Sequence, residues 1–290
     1  MNVNEYIREC DGRFAESLLR VAESLRERGA RLISLAGPTC SGKTTAATIL
    51  ERALESEGGE VHTVSIDDFY YDREYLHALS EKKGNGVIDY DSEDTIDLEA
   101  LKIFVGEVMS GKEAHCPTFD FASGRRNGYR TYRAMECDVF IFEGIQAIYP
   151  KIRALLAPYG TASIYICPTT PIRDGGHFFL PDDIRLMRRL VRDAGFRGTD
   201  ARFTLELWKS VRRNEEEIIF PYADACEYKI DSTHAYEIGV LKPHLENILP
   251  PVLDDLEYGK TARAILESIS EVTPIDSALI PEGSLYKEFV

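Results

Sequence analysis

Leu32-Ile-Ser-Leu-Ala-Gly37-Pro-Thr-Cys40-Ser41-Gly42-Lys43-Thr44-Thr45 is the stretch that decides the fold. Its first residues are a short apolar run that predicts a strand over 31–36. Gly37 to Thr44 fits G-x-x-x-x-G-K-[ST], and Thr45-Ala-Ala-Thr-Ile-Leu50 opens a helical pattern directly after it. Gly37 and Gly42 let the backbone turn its N–H groups inward around a phosphate, where a Cβ would obstruct the approach. The first turn of the helix adds unpaired N–H donors and the positive end of its dipole. Cys40, Ser41 and Thr45 complete the cradle. Lys43 reaches the β- and γ-phosphates in such loops, and the Thr44 hydroxyl takes one Mg²⁺ position. The stretch implies a loop built for a nucleoside triphosphate, ATP or another, with Mg²⁺.

Bulk properties bound the rest. The 290 residues allow about two domains, although an α/β unit can fill most of that length alone. A hydrophobic content of 44% is ample for a core. No apolar run approaches the ~20 residues that cross a bilayer, and Met1-Asn-Val-Asn-Glu-Tyr6 lacks the build of a signal peptide. Six scattered cysteines form no C-x-x-C pair, so they suggest neither a zinc site nor a disulfide framework and suit a reduced cytoplasm. A net charge of −15 argues against nucleic acid as the main partner. The basic residues are nevertheless clustered: residues 185–213 hold nine of the 34. Basic islands on an acidic chain suit a confined anion better than a long polyanion.

The organisation that follows is α/β: a mostly parallel sheet flanked by helices, of the phosphate-loop NTPase type, with a small hairpin insertion and an arginine-rich helical lid. Residues 1–30 predict an amphipathic helix, 31–250 the main domain with its lid near 175–217, and 251–290 a helical extension. Strands are expected at 61–66, 138–142, 162–167 and 228–230, and helices at 43–57, 95–110, 182–195, 203–217, 235–248 and 258–270. Strand–helix–strand order implies right-handed parallel crossovers. A polar loop with Gly84-Asn85-Gly86 is expected before residue 95. Residues 115–121 and 129–134 predict a hairpin turning at Asn127-Gly128. Gly175-Gly-His-Phe-Phe-Leu180 inside the lid has no reading from sequence.

Two strands end in carboxylates: 61–66 in Asp67-Asp68, and 138–142 in Glu143-Gly144. Open parallel sheets bind ligands beyond the carboxyl ends of their strands, so both ends should lie near the phosphate loop. A carboxylate there holds Mg²⁺, directly or through water, or takes the proton of an attacking hydroxyl. Alternation along the strand points Asp67 and Asp68 to opposite sides. Arg185, Arg188 and Arg192 are spaced three and four apart and share one helix face.

These residues, with Ser65-Ile-Asp67-Asp-Phe-Tyr70, Tyr90-Asp91-Ser-Glu-Asp94, Pro117-Thr-Phe-Asp-Phe121, Phe142-Glu143-Gly144-Ile145 and Arg185-Leu-Met-Arg188-Arg189, resemble the uridine kinase/phosphoribulokinase family over about 31–231. Arg188–Gly198, Thr204–Arg213 and Ile280–Phe289 resemble its bacterial uridine kinase-like branch, without that branch's extra front domains. The resemblance implies an ATP-dependent kinase acting on a small-molecule hydroxyl, the 5′-hydroxyl of uridine or cytidine. It implies that Asp67 activates that hydroxyl, Glu143 lies near magnesium, and Asp91 binds ribose hydroxyls. Phe119 and Phe121 would flank the base, while Arg185, Arg188 and Arg192 close over the phosphates. Where well-characterised uridine kinases carry a histidine after the aromatic pair, this chain has Ala122-Ser-Gly124-Arg125, and Phe119 stands in place of a tyrosine. A sugar, sugar phosphate or polyol acceptor therefore stays open, as does a nucleotide-binding regulator without transfer activity. A homo-oligomer is likewise left open.

Overall fold

A computed structural model describes residues 2–55, 59–82, 88 and 92–290. Helix α1 (Val3–Glu27) leads to β1 (Leu32–Ala36); α2 (Lys43–Leu54) follows the glycine loop and precedes β2 (Val61–Ser65). Then come α3 (Arg73–Lys82), α4 (Leu98–Met109), β3 (Glu113–Asp120), β4 (Arg125–Arg133), β5 (Val139–Glu143), α5 (Pro150–Leu156) and β6 (Ala162–Cys167). The order ends with β7 (Ile172–Asp174), β8 (His177–Phe179), α6 (Pro181–Phe196), α7 (Ala201–Asn214), α8 (Phe220–Ala223), β9 (Tyr228–Asp231), α9 (Glu237–Ile248) and α10 (Gly259–Ser268).

The central sheet runs β2-β5-β1-β6-β9, and every pairing in it is parallel. Each of the five expected sheet strands is present. Because side chains alternate, β1 feeds both faces: Leu32 and Ala36 join the core under α4 and α5, while Ile33 and Leu35 join the one under α1 and α2. Glu143 stands level with Leu35 on one side and Ser65 on the other. The carboxyl ends of β1, β2 and β5 thus open onto one crevice.

Helix α1 earns its place through a capping box, Asn2 with Glu5, and a buried stripe of Ile7, Cys10, Phe14, Leu18, Val21 and Leu25. That stripe shares a core with Tyr286 and Phe289, so both ends of the described chain are built into the sheet's flank. After α10 the segment expected to be helical is mostly extended, with short 3₁₀ turns at Ser277–Leu279 and Leu285–Glu288. Among the described residues, no helix is long and apolar enough to cross a membrane.

Three local expectations need correction. Helix α3 occupies part of the stretch read as polar loop; it buries only Leu76 and Ser80, too thin a stripe to register as periodicity. Gly84-Asn85-Gly86 lies outside the described residues. The hairpin turns at 121–124 instead of Asn127-Gly128: Asp120 accepts from Ala122 N and Ser123 N, and Gly124 takes φ +69°. Asn127 and Gly128 sit inside β4, beside the register shift at Thr118/Phe119. Helix α7 stops at Asn214 and passes through a single π turn, Glu215–Ile219, into α8. The unread Gly175–Leu180 segment forms the β7–β8 hairpin, its two glycines at φ +53° and +77° as a two-residue turn demands.

Candidate active site

The phosphate loop is packed to the limit its glycines allow. A Cβ on Gly37 would lie 2.3 Å from the Ile166 carbonyl oxygen, and one on Gly42, at φ +91°, would lie 2.2 Å from Leu285 Cδ1. Cys40 is held at φ +59°, the only described non-glycine residue at positive φ. Gly42 precedes α2 without a side-chain cap, which leaves the first-turn donors for another acceptor. Lys43 Nζ donates to the Gly37 and Pro38 carbonyls at 2.9 and 3.1 Å, folded over the loop. Ser41 Oγ is buried with no partner among the described residues. A cradle without room for a Cβ, a lysine spanning it and an orphan hydroxyl fit a triphosphate and its magnesium.

The loop opens onto a cavity of about 360 Å³ lined also by Asp67, Tyr70, Glu143, Gln146, Arg192 and Glu288. A larger one of about 440 Å³, between α1 and the β6–β7 connection, contains no residue of the loop or of the strand-end carboxylates. The first cavity therefore gathers the residues that the sequence marks for the chemistry. Asp67 begins the 3₁₀ turn Ile66–Phe69 that ends β2. Burial pushes its pKa up to about 6, Glu143 adds to the rise, and the Gln146 hydrogen bond and Lys43 oppose it. A carboxylate poised there is a competent proton acceptor near neutral pH. Asp68 points away: it accepts from Phe119 N at 3.1 Å and pairs with Arg130, tying the turn to the β3–β4 hairpin.

Beside Asp67 the hairpin and turn assemble aromatic rings. Phe119 lies 5.5 Å from Tyr70 and 5.1 Å from Phe121, and Phe121 is 61% exposed. Arg126 locks this wall by donating to the Phe69 and Tyr70 carbonyls and pairing with Asp97 at 3.1 Å. Asp91, expected at the ribose hydroxyls, lies outside the described residues.

The arginine helix is placed differently from the expectation. Arg185, Arg188 and Arg192 do share the face toward the loop: Arg185 Nε donates to Thr39 O at 3.1 Å, Arg188 to Cys40 O at 3.2 Å, and Arg192 to Thr39 Oγ1 at 3.4 Å. Only Arg192, with Arg197, lines the cavity. Arg185 is fully buried and pairs with Glu215, which the π turn directs inward. Arg188, also 0% exposed, forks onto Glu237 at 2.7 and 3.0 Å and donates to Ser232 O at 2.7 Å. Its wide, rigid fork fits this post behind the loop.

Sequence reading missed Tyr70, Gln146, Arg197 and Glu288. Tyr70 and Gln146 each lie three residues beyond a strand-end carboxylate, a spacing that could have flagged them. Glu288 reaches Thr45 across 243 residues, for which no local signal exists.

A profile of the phosphoribulokinase / uridine kinase family matches residues 32–238. The uridine kinase of Schizosaccharomyces pombe (strain 972 / ATCC 24843) is 31% identical over 195 residues, covering 66% of this chain and 38% of that protein. Uridine kinase-like protein 3 of Arabidopsis thaliana is 28% identical over 74% of this chain and 43% of its own. This chain thus spans less than half the length of these two relatives. Uridine-cytidine kinase 2-B of Danio rerio is 28% identical over 75% of this chain and 80% of its own. Among solved structures, a protein described as a fructose transport system kinase from Silicibacter sp. TM1040 shares the fold. It has TM-score 0.50 and 22% identity over 74% of this chain and 97% of that one.

Proposed function

The chain belongs to the phosphoribulokinase / uridine kinase family, and we propose that it is a kinase moving the γ-phosphate of ATP to a small-molecule hydroxyl. The acceptor we assign is the 5′-hydroxyl of uridine or cytidine. The observation that carries the reading is the meeting of Lys43, Thr44, Asp67 and Glu143 at one cavity, from the carboxyl ends of three adjacent strands.

Each residue then has a task. The loop N–H groups and Lys43 hold the phosphates, and Thr44 Oγ with Glu143 and Asp67 would hold magnesium. When bound, that ion offsets charge on the phosphate oxygens. Asp67 takes the proton of the acceptor hydroxyl, a role its raised pKa suits. Arg192 reaches the cavity and stabilises charge on the phosphoryl group; Arg185 and Arg188 act from behind, by holding Thr39 and Cys40. Phe119, Phe121 and Tyr70 offer a base a stacking wall, and Asp91 the ribose hydroxyls a partner.

A second reading, a sugar or polyol acceptor, rests on the turn Ala122-Ser-Gly124-Arg125, which brings no histidine to read a pyrimidine edge. ADP release measured across uridine, cytidine, sugars, sugar phosphates and polyols separates the two. Turnover with pyrimidine nucleosides alone supports the first. Turnover only with a sugar or polyol replaces it, and ADP release from no acceptor overturns the kinase reading.

A further inference from the structure

We propose that Gln146 is a positioning residue that aims the Asp67 carboxylate at the acceptor hydroxyl. Gln146 sits in the 3₁₀ turn Ile145–Ile148 after β5 and is 1% exposed. Its Nε2 donates to Asp67 Oδ1 at 2.9 Å and to Tyr70 Oη at 2.6 Å, so both amide protons are spent on the acceptor side of the cavity. The amide cannot be turned round, because its carbonyl oxygen would then face a carboxylate that only accepts. The cost is visible: Oε1 is buried with no hydrogen-bond partner among the described residues, pressed where a Cβ on Gly144 would come within 3.0 Å. A side chain chosen for packing alone would not leave a buried oxygen idle. Here the idle acceptor accompanies a donor fixed on the reacting group, a trade that belongs to functional sites.

The inference rests on Asp67 being the base. Asp67 is faced by Glu143 from β5, Lys43 from α2, Asp68 and Tyr70 from its own turn, and Arg192, Arg197 and Glu288 around the cavity. Within that set Gln146 is the neutral donor that fixes where the carboxylate points. The test compares kcat, KM for ATP and thermal unfolding in wild type and Gln146→Met, which keeps length and volume but cannot donate. Gln146→Met should lower kcat by about 10- to 100-fold, with KM for ATP and the melting temperature close to wild type. An unchanged kcat, or a loss of kcat matched by an equal loss of ATP affinity and thermal stability, overturns the positioning role and leaves packing. If Asp67→Asn itself turns over like wild type, the base reading fails instead.

A different contact carries a second inference: we infer that Glu288 is a displaceable stand-in for a nucleotide phosphate. Its Oε1 accepts from Thr45 N at 2.8 Å and from Thr45 Oγ1 at 2.5 Å, so a carboxylate occupies one N–H of the first turn of α2 and the hydroxyl beside it. The turn Leu285–Glu288 is clamped there. Leu285 packs on Gly42, Tyr286 Oη accepts from Arg188 Nε at 3.2 Å, and the Arg188 guanidinium lies 5.3 Å over the Tyr286 ring. Glu288 also lines the cavity, so an incoming triphosphate meets a resident anion. Two anions cannot share those donors, and filling the loop releases the carboxylate.

The test compares ATP affinity by calorimetry, and thermal unfolding with and without ATP, in wild type and Glu288→Gln. Removing the competing charge should tighten ATP binding by about 3- to 30-fold. The nucleotide-free variant should melt below wild type, and saturating ATP should close that gap. Equal or weaker binding in a folded Glu288→Gln overturns the inference. Absence of binding in wild type would instead overturn the phosphate-loop reading on which it rests.

Discussion

Replacing Arg188 by alanine should damage the protein before it touches the chemistry. Both members of the Arg188–Glu237 pair are 0% exposed, and the guanidinium also serves Ser232 O, Cys40 O and Tyr286 Oη. Truncation leaves Glu237 charged in the interior with His234 N as a remaining donor at 3.0 Å, takes the Arg188 donor from the Cys40 carbonyl, and leaves Ser232 O its contact with His234 Nδ1 at 3.0 Å. Breaking a buried pair from one side costs about 3–5 kcal/mol, a large share of the roughly 5–15 kcal/mol that holds a domain together. The melting temperature should fall by roughly 5–15 °C. Urea titration with calorimetric melting measures the loss. The double variant Arg188→Met with Glu237→Gln should regain much of it, because no charge is left unpaired. Nucleotide affinity should drop in the single variant as well, since the Cys40 carbonyl loses the donor that steadies its left-handed backbone. An Arg188→Ala protein within about 1 kcal/mol of wild type would refute the buried post and restore the mobile lid arginine.

Asp67→Asn should stabilise the protein at alkaline pH. The folded carboxyl titrates at about 6 against an ordinary 3.8, so the native state holds the proton more tightly than the unfolded chain. The resulting stability is fully present below the lower value and lost as the pH rises through the higher one. At 1.36 kcal/mol per unit, the penalty above pH 6 is at most about 3 kcal/mol. The variant's advantage in urea titration should be largest near pH 8 and gone near pH 4; a constant advantage would contradict the assignment. Lys43→Ala should weaken ATP binding by about 1.5–3 kcal/mol in calorimetry, and unchanged affinity would remove Lys43 from the phosphates.

The parallel sheet was legible because buried strands read as short apolar runs, and the phosphate loop because its glycines and lysine are fixed by sterics and charge. Asp67 and Glu143 were legible as strand ends, since open sheets gather those ends in one crevice. What escaped depends on distance or on partners. Arg185, Arg188 and Arg192 were correctly put on one face, but spacing cannot say that Glu215 and Glu237 bury two of them. The hairpin turn was misplaced because Asn127-Gly128 is the stronger dipeptide signal, whereas Asp120 capping its own turn decided the geometry. Glu288 answers to a contact no window of sequence contains.

The central claim is that Asp67 receives the acceptor's proton while the phosphate loop independently holds ATP. Measuring steady-state transfer and calorimetric ATP affinity side by side in Asp67→Asn tests it most directly. The account predicts ATP affinity within about twofold of wild type and transfer reduced by roughly 10²–10⁴-fold, with Asp68→Asn costing much less. Transfer at the wild-type rate in Asp67→Asn would contradict it.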